Sequence, residues 1–321
     1  MPQTVRGRAS RGAAITQPRM MSTCRPVAPS RHQDAVAILA NPKAGADASR
    51  RLVEAFARQL RARGLRPLVC WHRRELSETI ALERDEVRCV VAAGGDGTLL
   101  EVLNRAPGLP VALLPLGTEN LVARYCGVTR CAGTLADIVA TGRLREIDVA
   151  RANGRTFCLM ASAGFDAAVV HRVHRRRRGH ITRLSYGLPI VQLLHDYRFP
   201  MIDVEVLGTG ERLRGSLAFV FNVPRYGLGL PIAPQARPDD GMLDLCLFER
   251  PGVLALARYA GAVARGRHLQ LPDVHYRQAR GFRLSSAEPV PLQTDGDPAG
   301  WLPATVELLP RRLTLLVPGR P

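Results

Sequence analysis

The stretch Val90-Val91-Ala92-Ala93-Gly94-Gly95-Asp96-Gly97-Thr98 decides the fold. An apolar run passes directly into three glycines, one carboxylate and one hydroxyl, and helical spacing follows over Thr98–Arg105. Glycines let a backbone approach a polyphosphate closely, and the unpaired N–H groups at a helix start favour anions. Asp96 would repel phosphate, so it belongs beside a cation or serves the turn. Capping alone needs no Gly-Gly-Asp-Gly.

Working outward, Val111–Leu114 leads into Pro115-Leu116-Gly117-Thr118-Glu119-Asn120 and a helix expected over Glu119–Tyr125, with Thr118 a candidate cap. Upstream, the apolar run Ala35–Leu39 ends in Asn41-Pro42-Lys43-Ala44-Gly45, and Leu52, Val53, Phe56 and Leu60 then recur at helical spacing. Pro67–Trp71 and Val87–Ala92 read as further strands. Short strands alternating with helices predict an α/β domain with a mostly parallel sheet. All three glycine loops would then lie at the carboxyl edge of that sheet, where ligands bind in open α/β folds. Lys43 is the single lysine among 45 basic residues. Its compact ammonium is a candidate contact for phosphates, against the plainer reading of a chance surface lysine.

Beyond Glu146 the pattern changes to strands joined by turns. Glu146–Ala150 and Thr156–Met160 flank Asn153-Gly154, and Met201–Leu207 and Leu213–Asn222 flank Gly208-Thr209-Gly210. Leu243–Phe248, Gly281–Ser285 and Leu313–Val317 add strands, with helical stretches near 166–178 and 184–197. This predicts a C-terminal antiparallel β-sandwich domain over 146–321, whose last residues return to a nucleotide-binding domain over 34–145. Residues 1–33 hold six arginines and no acid, read as a disordered basic extension in which Met20 and Met21 offer later starts.

The motifs Asn-Pro-x-Ala-Gly, Gly-Gly-Asp-Gly-Thr and Pro-Leu-Gly-Thr-x-Asn, in this order, resemble the diacylglycerol kinase catalytic-domain family. That family includes bacterial lipid kinases, diacylglycerol kinases, sphingosine kinases and ceramide kinases, and its relatives in fold include NAD kinases and phosphofructokinases. The likeness continues through Gly164-Phe165-Asp166-Ala167, Ile232-Ala233-Pro234, Asp239-Asp240-Gly241-Met242-Leu243-Asp244 and Asp295-Gly296-Asp297. The resemblance implies ATP bound by Asn41, Gly94, Gly95, Asp96, Gly97, Thr98, Gly117 and Thr118. It implies a divalent cation, Mg2+, at Asp240 and the backbone near Met242, with Asp244 supporting that loop. Asp297 would take the proton from a lipid hydroxyl. Two departures stand out: Leu121 where the family usually has Asp, and Asp297 where it usually has Glu. The shorter carboxylate retracts the base by one methylene.

The implied reaction is ATP-dependent phosphorylation of a lipid alcohol such as diacylglycerol or a sphingoid base. An NAD kinase-like enzyme and a catalytically degenerate nucleotide or lipid binder are the alternatives. The formal charge of +17 favours an anionic partner, here a lipid substrate at an anionic membrane surface. The basic run His171–Arg178 fits such a surface or a solvated face; it lacks aromatics for stacking on single strands, and nucleic acid ranks last as a partner. Neither of its histidines has the convergent ligands of a zinc site, and Cys126 and Cys131 read as packing residues. Leu184–Leu194 lines an acyl-chain pocket or is ordinary core. Apolar runs are too short to span a bilayer, and seven cysteines without Cys-x-x-Cys spacing suit a reducing compartment. A cytoplasmic, peripherally membrane-associated protein is expected. A homodimer stays open.

Overall fold

A computed structural model of the chain describes residues 25–26, 33–41, 46–175 and 187–319. Lys43, most of the 1–33 extension, the basic residues 176–178 and residues 184–186 lie outside the described residues.

The N-terminal part runs β1 (Ala35–Ala40), α1 (Ala46–Arg61), β2 (Arg66–Cys70), α2 (Arg73–Glu83), β3 (Val87–Gly94), α3 (Asp96–Arg105), β4 (Val111–Pro115), α4 (Leu121–Tyr125) and α5 (Ala132–Thr141). β2, β1, β3 and β4 are neighbours in that order and all parallel. Every residue of β1 and β4 is buried, as a sheet covered on both faces requires. Alternate residues divide between those faces: Ala37, Leu39, Val90, Ala92 and Leu113 join one core, and Val36, Ile38, Val91, Ala93 and Leu114 the other.

The C-terminal part comprises β5 (Arg143–Ala152), β6 (Arg155–Phe157), β7 (Met160–Ala163), α6 (Phe165–Arg175), α7 (Gly187–Asp196), β8 (Ile202–Val206), β9 (Arg212–Gly215), β10 (Leu217–Phe221), β11 (Leu243–Phe248), α8 (Val253–Ala264), β12 (Val274–Ala279), β13 (Gly281–Ser285), β14 (Pro291–Thr294), β15 (Asp297–Trp301) and β16 (Ala304–Val317). One antiparallel sheet has the order β12-β11-β10-β7-β14-β15. It packs on the antiparallel β9-β8-β13-β16 portion of the other sheet through Phe157, Ile202, Val220, Leu245, Phe282, Leu292 and Val306. Both expected hairpin turns form, with positive φ at Asn153, Gly154, Gly208 and Gly210.

β16 joins the two halves. Its first residues pair with β13, its length runs antiparallel to β5, and Leu315 pairs in parallel with Val111 of β4. Residue 145 lies inside β5. The strand expected over Thr156–Met160 is instead two: β6 ends at Phe157 on one sheet and β7 begins at Met160 on the other. The cause is Asp295, whose carboxylate accepts the backbone N–H groups of Cys158 (2.8 Å), Leu159 (2.9 Å) and Met160 (2.9 Å) at the crossing.

Candidate functional site

The loops after β1, β3 and β4 meet at one edge of the sheet. The Asn41 N–H donates to the Ala93 carbonyl at 3.0 Å, and the Leu116 N–H to the Gly94 carbonyl at 2.9 Å. Gly117 and Gly95 lie so close that a Cβ on Gly117 would stand 2.6 Å from the Gly95 Cα. Asn120 closes the second loop on itself: its side chain accepts from the Gly117 N–H at 3.0 Å and donates to the Gly117 carbonyl at 2.7 Å. Asn120 has φ 49°, a left-handed conformation that asparagine tolerates. Thr118 is exposed on the loop and Thr98 is buried beneath the other. Asn41 and Leu116, with Arg50 and Trp71, also line a cleft of about 330 Å³.

Thr118 does not cap the following helix. That helix spans Leu121–Tyr125, and its first N–H groups are taken by Asp96: Leu121 donates at 3.0 Å and Val122 at 3.1 Å. Asp96 therefore has a structural duty that needs no cation. Separation from bulk water pushes its carboxyl above the usual range, with Glu119 adding to the rise and the two N–H donors opposing it.

Asp96, Glu119 and Leu121 from this edge, and Asp295 and Gly296 from the β14–β15 turn, line one cavity of about 580 Å³. Its remaining walls are largely apolar: Phe165, Val169, Val170, Ile190, Leu217, Phe219, Phe248, Leu256, Tyr259 and Val263 among them. Leu121, the departure from the family's aspartate, is part of this wall. Ile190 of α7 joins it, while Pro189 and Leu193 are buried and Leu188 and Val191 face solvent.

Asp295 has φ 50° and Gly296 φ 86°, consistent with a tight hairpin turn. Loss of bulk water and the charge of Asp96 raise the Asp295 carboxyl to about 7, against the pull of its three N–H donors. Asp166 also lines the cavity. It accepts from the Ser162 hydroxyl at 2.5 Å and the Gln293 amide at 3.1 Å, and burial raises it as well. Asp297 lies one residue beyond Gly296, outside the cavity lining and half-exposed, with His174 Nε2 3.0 Å from its Oδ1.

The expected cation loop is a separate place. Asp240 accepts the Met242 N–H at 3.0 Å and is raised by burial, with Asp148 and Asp239 adding repulsion. Arg145 and Arg237 face Asp239, and Arg312 faces Asp148 at 2.9 Å. Asp244 accepts from Tyr276 at 2.6 Å and Gln278 at 2.8 Å through one oxygen; the other is buried and lacks a hydrogen-bond partner. An all-oxygen donor set is right for Mg2+ in kind. Among the described residues, however, no three His, Cys, Asp or Glu side chains converge. Cys126 is half-buried, but Cys131 is exposed at the start of α5, so it is not the packing residue expected.

Glycine loops on a parallel sheet edge, joined to a β-sandwich across an acid-lipped apolar cavity, define a two-domain α/β–β-sandwich protein of the lipid-kinase type. Residues 35–152 match the diacylglycerol kinase catalytic domain, and residues 160–317 match the YegS C-terminal NAD kinase beta sandwich-like domain. The chain belongs to the diacylglycerol kinase catalytic-domain family. It is 24% identical over 290 residues to a diacylglycerol kinase of Staphylococcus carnosus (strain TM300), covering 88% of this chain and 94% of that one. It is 28% identical over 240 residues to a diacylglycerol kinase of Bacillus subtilis (strain 168), covering 73% and 78%. A crystal structure of a diacylglycerol kinase from Bacillus anthracis str. Sterne has the same fold, with TM-score 0.62 at 18% identity over 90% of this chain and 98% of that one. A second structure from that organism reaches 0.70 at 20% identity with the same coverage.

Proposed function

We propose that this protein transfers the γ-phosphoryl group of ATP to the hydroxyl of a lipid held in the apolar cavity. The observation that carries the reading is that one cavity, apolar along its walls, opens between the glycine-loop acid Asp96 and the hairpin acid Asp295. A polar acceptor such as a dinucleotide has little to bond in such a space, which favours a lipid over NAD. Diacylglycerol and sphingoid bases both present a hydroxyl at the end of an apolar body.

Phosphoryl transfer asks a protein chiefly for position and charge neutralisation. The backbone of Gly94–Thr98 and Gly117-Thr118, with Asn41, would seat the phosphates, and the fit of a nucleotide is supported by glycines whose close approach leaves no room for a Cβ. Magnesium arriving with the nucleotide would offset phosphate charge when bound. Asp240 and the Met242 backbone are the proposed cation ligands of the second domain. Asp297 would take the hydroxyl proton, while the cavity wall keeps water from the acceptor.

Access from a membrane is supported by the exposed Leu188 (62%) and Val191 (65%) beside the Ile190 wall residue, and by exposed Leu254 (89%) on α8, whose Leu256 and Ala260 also line the cavity. Among the described residues no helix is long and apolar enough to cross a bilayer. We infer peripheral binding to an anionic cytoplasmic surface.

Labelled ATP incubated with a total lipid extract tests the reading. Wild-type protein should label a lipid, and D96A and D297N should not. Label transfer to NAD, or ATP binding without labelling of any lipid, would refute it; the second result would favour the degenerate binder that Leu121 suggests.

A further inference from the structure

Helix α6 carries His171 and His174 three residues apart, on one face. Both meet the β14–β15 hairpin. His171 Nε2 lies 2.8 Å from the Leu292 carbonyl, and its ring stands edge-on to Trp301 at 5.5 Å. His174 has Nδ1 3.0 Å from the Val170 carbonyl and Nε2 3.0 Å from Asp297 Oδ1.

The two contacts of His174 fix its hydrogens. A carbonyl oxygen only accepts, so Nδ1 carries a hydrogen toward Val170. An ionised carboxylate also only accepts, so Nε2 carries one toward Asp297. Both are satisfied together only by the imidazolium. The ring is mostly buried, at 17% side-chain exposure, whereas Asp297 is 46% exposed on a short side chain beside a glycine turn. The helix thus supplies the rigid partner and the hairpin the loose one.

We propose that His174 is a positioning residue for the reaction, holding one oxygen of Asp297 so that the other faces the acceptor hydroxyl. The inference rests on the lipid-kinase reading, with Asp297 as the base. In that step the acceptor O–H bond breaks, its proton passes to the Asp297 carboxylate, and the oxygen's electron pair forms the new bond to phosphorus as ADP leaves. The aspartate is one methylene shorter than the glutamate of the family, so a fixed orientation matters more here. A misplacement of about 1 Å can cost about 100-fold in rate. The other charged or titratable groups near the imidazolium are His171 and Arg175 on its own helix. Arg172 turns instead to Asp196 of α7 at 3.7 Å.

The test measures kcat, KM for lipid and the pH profile of wild type, D297N, H174A and H174Q, each checked for folding by circular dichroism. H174A should lower kcat by about 10- to 100-fold with little change in KM. H174Q keeps one amide donor and cannot titrate. It should recover much of the rate and lose the alkaline decline that wild type shows as the imidazolium deprotonates. Should H174A fail to fold, the H174Q profile decides alone. Wild-type kcat in H174A, or an unchanged alkaline limb in H174Q, would overturn the proposal while D297N remains inactive. Full activity in D297N would instead overturn the assignment of the base.

Discussion

The carboxylate of Asp96 accepts the N–H of Leu121 at 3.0 Å, so the acid of the first glycine loop caps the helix that follows the second. With the bond to Val122, this ties two loops 25 and 26 residues apart in sequence. D96A should therefore destabilise the fold by about 1–3 kcal/mol, because two helix N–H groups lose their acceptor in a half-buried place. D96N, retaining one acceptor oxygen, should lose less. Urea unfolding measures both; a purely cation-binding Asp96 would leave D96A as stable as wild type.

Gly117 and Gly97 separate packing from ligand contact. A Cβ at Gly117 collides with the Gly95 backbone, whereas one at Gly97 meets nothing within 4 Å. G117A should lower both thermal stability and ATP affinity. G97A should fold normally and weaken ATP binding alone, since the added methyl would stand where phosphate approaches. Isothermal titration with ATP, alongside a melting curve, distinguishes the two.

The strand–glycine–helix units were legible because each is local: apolar runs of five to eight residues, then turn residues, then helical spacing. The links between them were not. Nothing near Asp96 announces that it caps α4, and Asp295 reaches back 135 residues or more to hold the β6–β7 crossing. Asp295-Gly296 was read for chemistry, yet the same pair is a hairpin turn signal that would have found β14 and β15. Helix α8 escaped because Val253–Ala264 has little polar face to set its period and begins after an uncapping glycine. The α1 stripe, by contrast, was plain: Val53, Phe56 and Leu60 are buried where the spacing put them.

Asp295 predicts a pH dependence of stability. Its folded carboxyl titrates near about 7, above the ordinary 3.8, so the folded chain binds this proton more tightly than the unfolded one. The contribution is complete below about pH 4 and is lost as pH rises through about 7. D295N cannot titrate and gives up one acceptor. Its stability deficit relative to wild type should be largest near pH 4 and narrow steadily toward pH 7. A deficit that stays constant across that range, measured by denaturant titration, would contradict the assignment.

Ala260 stands on the exposed side of α8 and yet lines the cavity. A260W should block the cavity without disturbing the core. The expected result is a KM for long-chain lipid raised by roughly tenfold or more, about the loss of 1.4 kcal/mol of binding, with ATP affinity unchanged. Equal KM values would place the acceptor elsewhere.

Leu188 and Val191 are expected to touch the bilayer. The double variant L188D/V191D should sediment less with anionic vesicles and act more slowly on vesicle-borne lipid. Its rate on lipid dispersed in detergent should match wild type. A parallel loss in both assays would remove the membrane role.

β16 gives the two halves a common spine. Because one continuous strand is hydrogen-bonded to β4 at its end and to β13 at its start, the halves cannot swing apart about a free linker as hinged enzymes do. Opening the cleft would mean breaking sheet ladders. The acceptor must enter through the apolar side of a slot of nearly constant width, and trimming the chain before Leu313 would unfasten both halves at once.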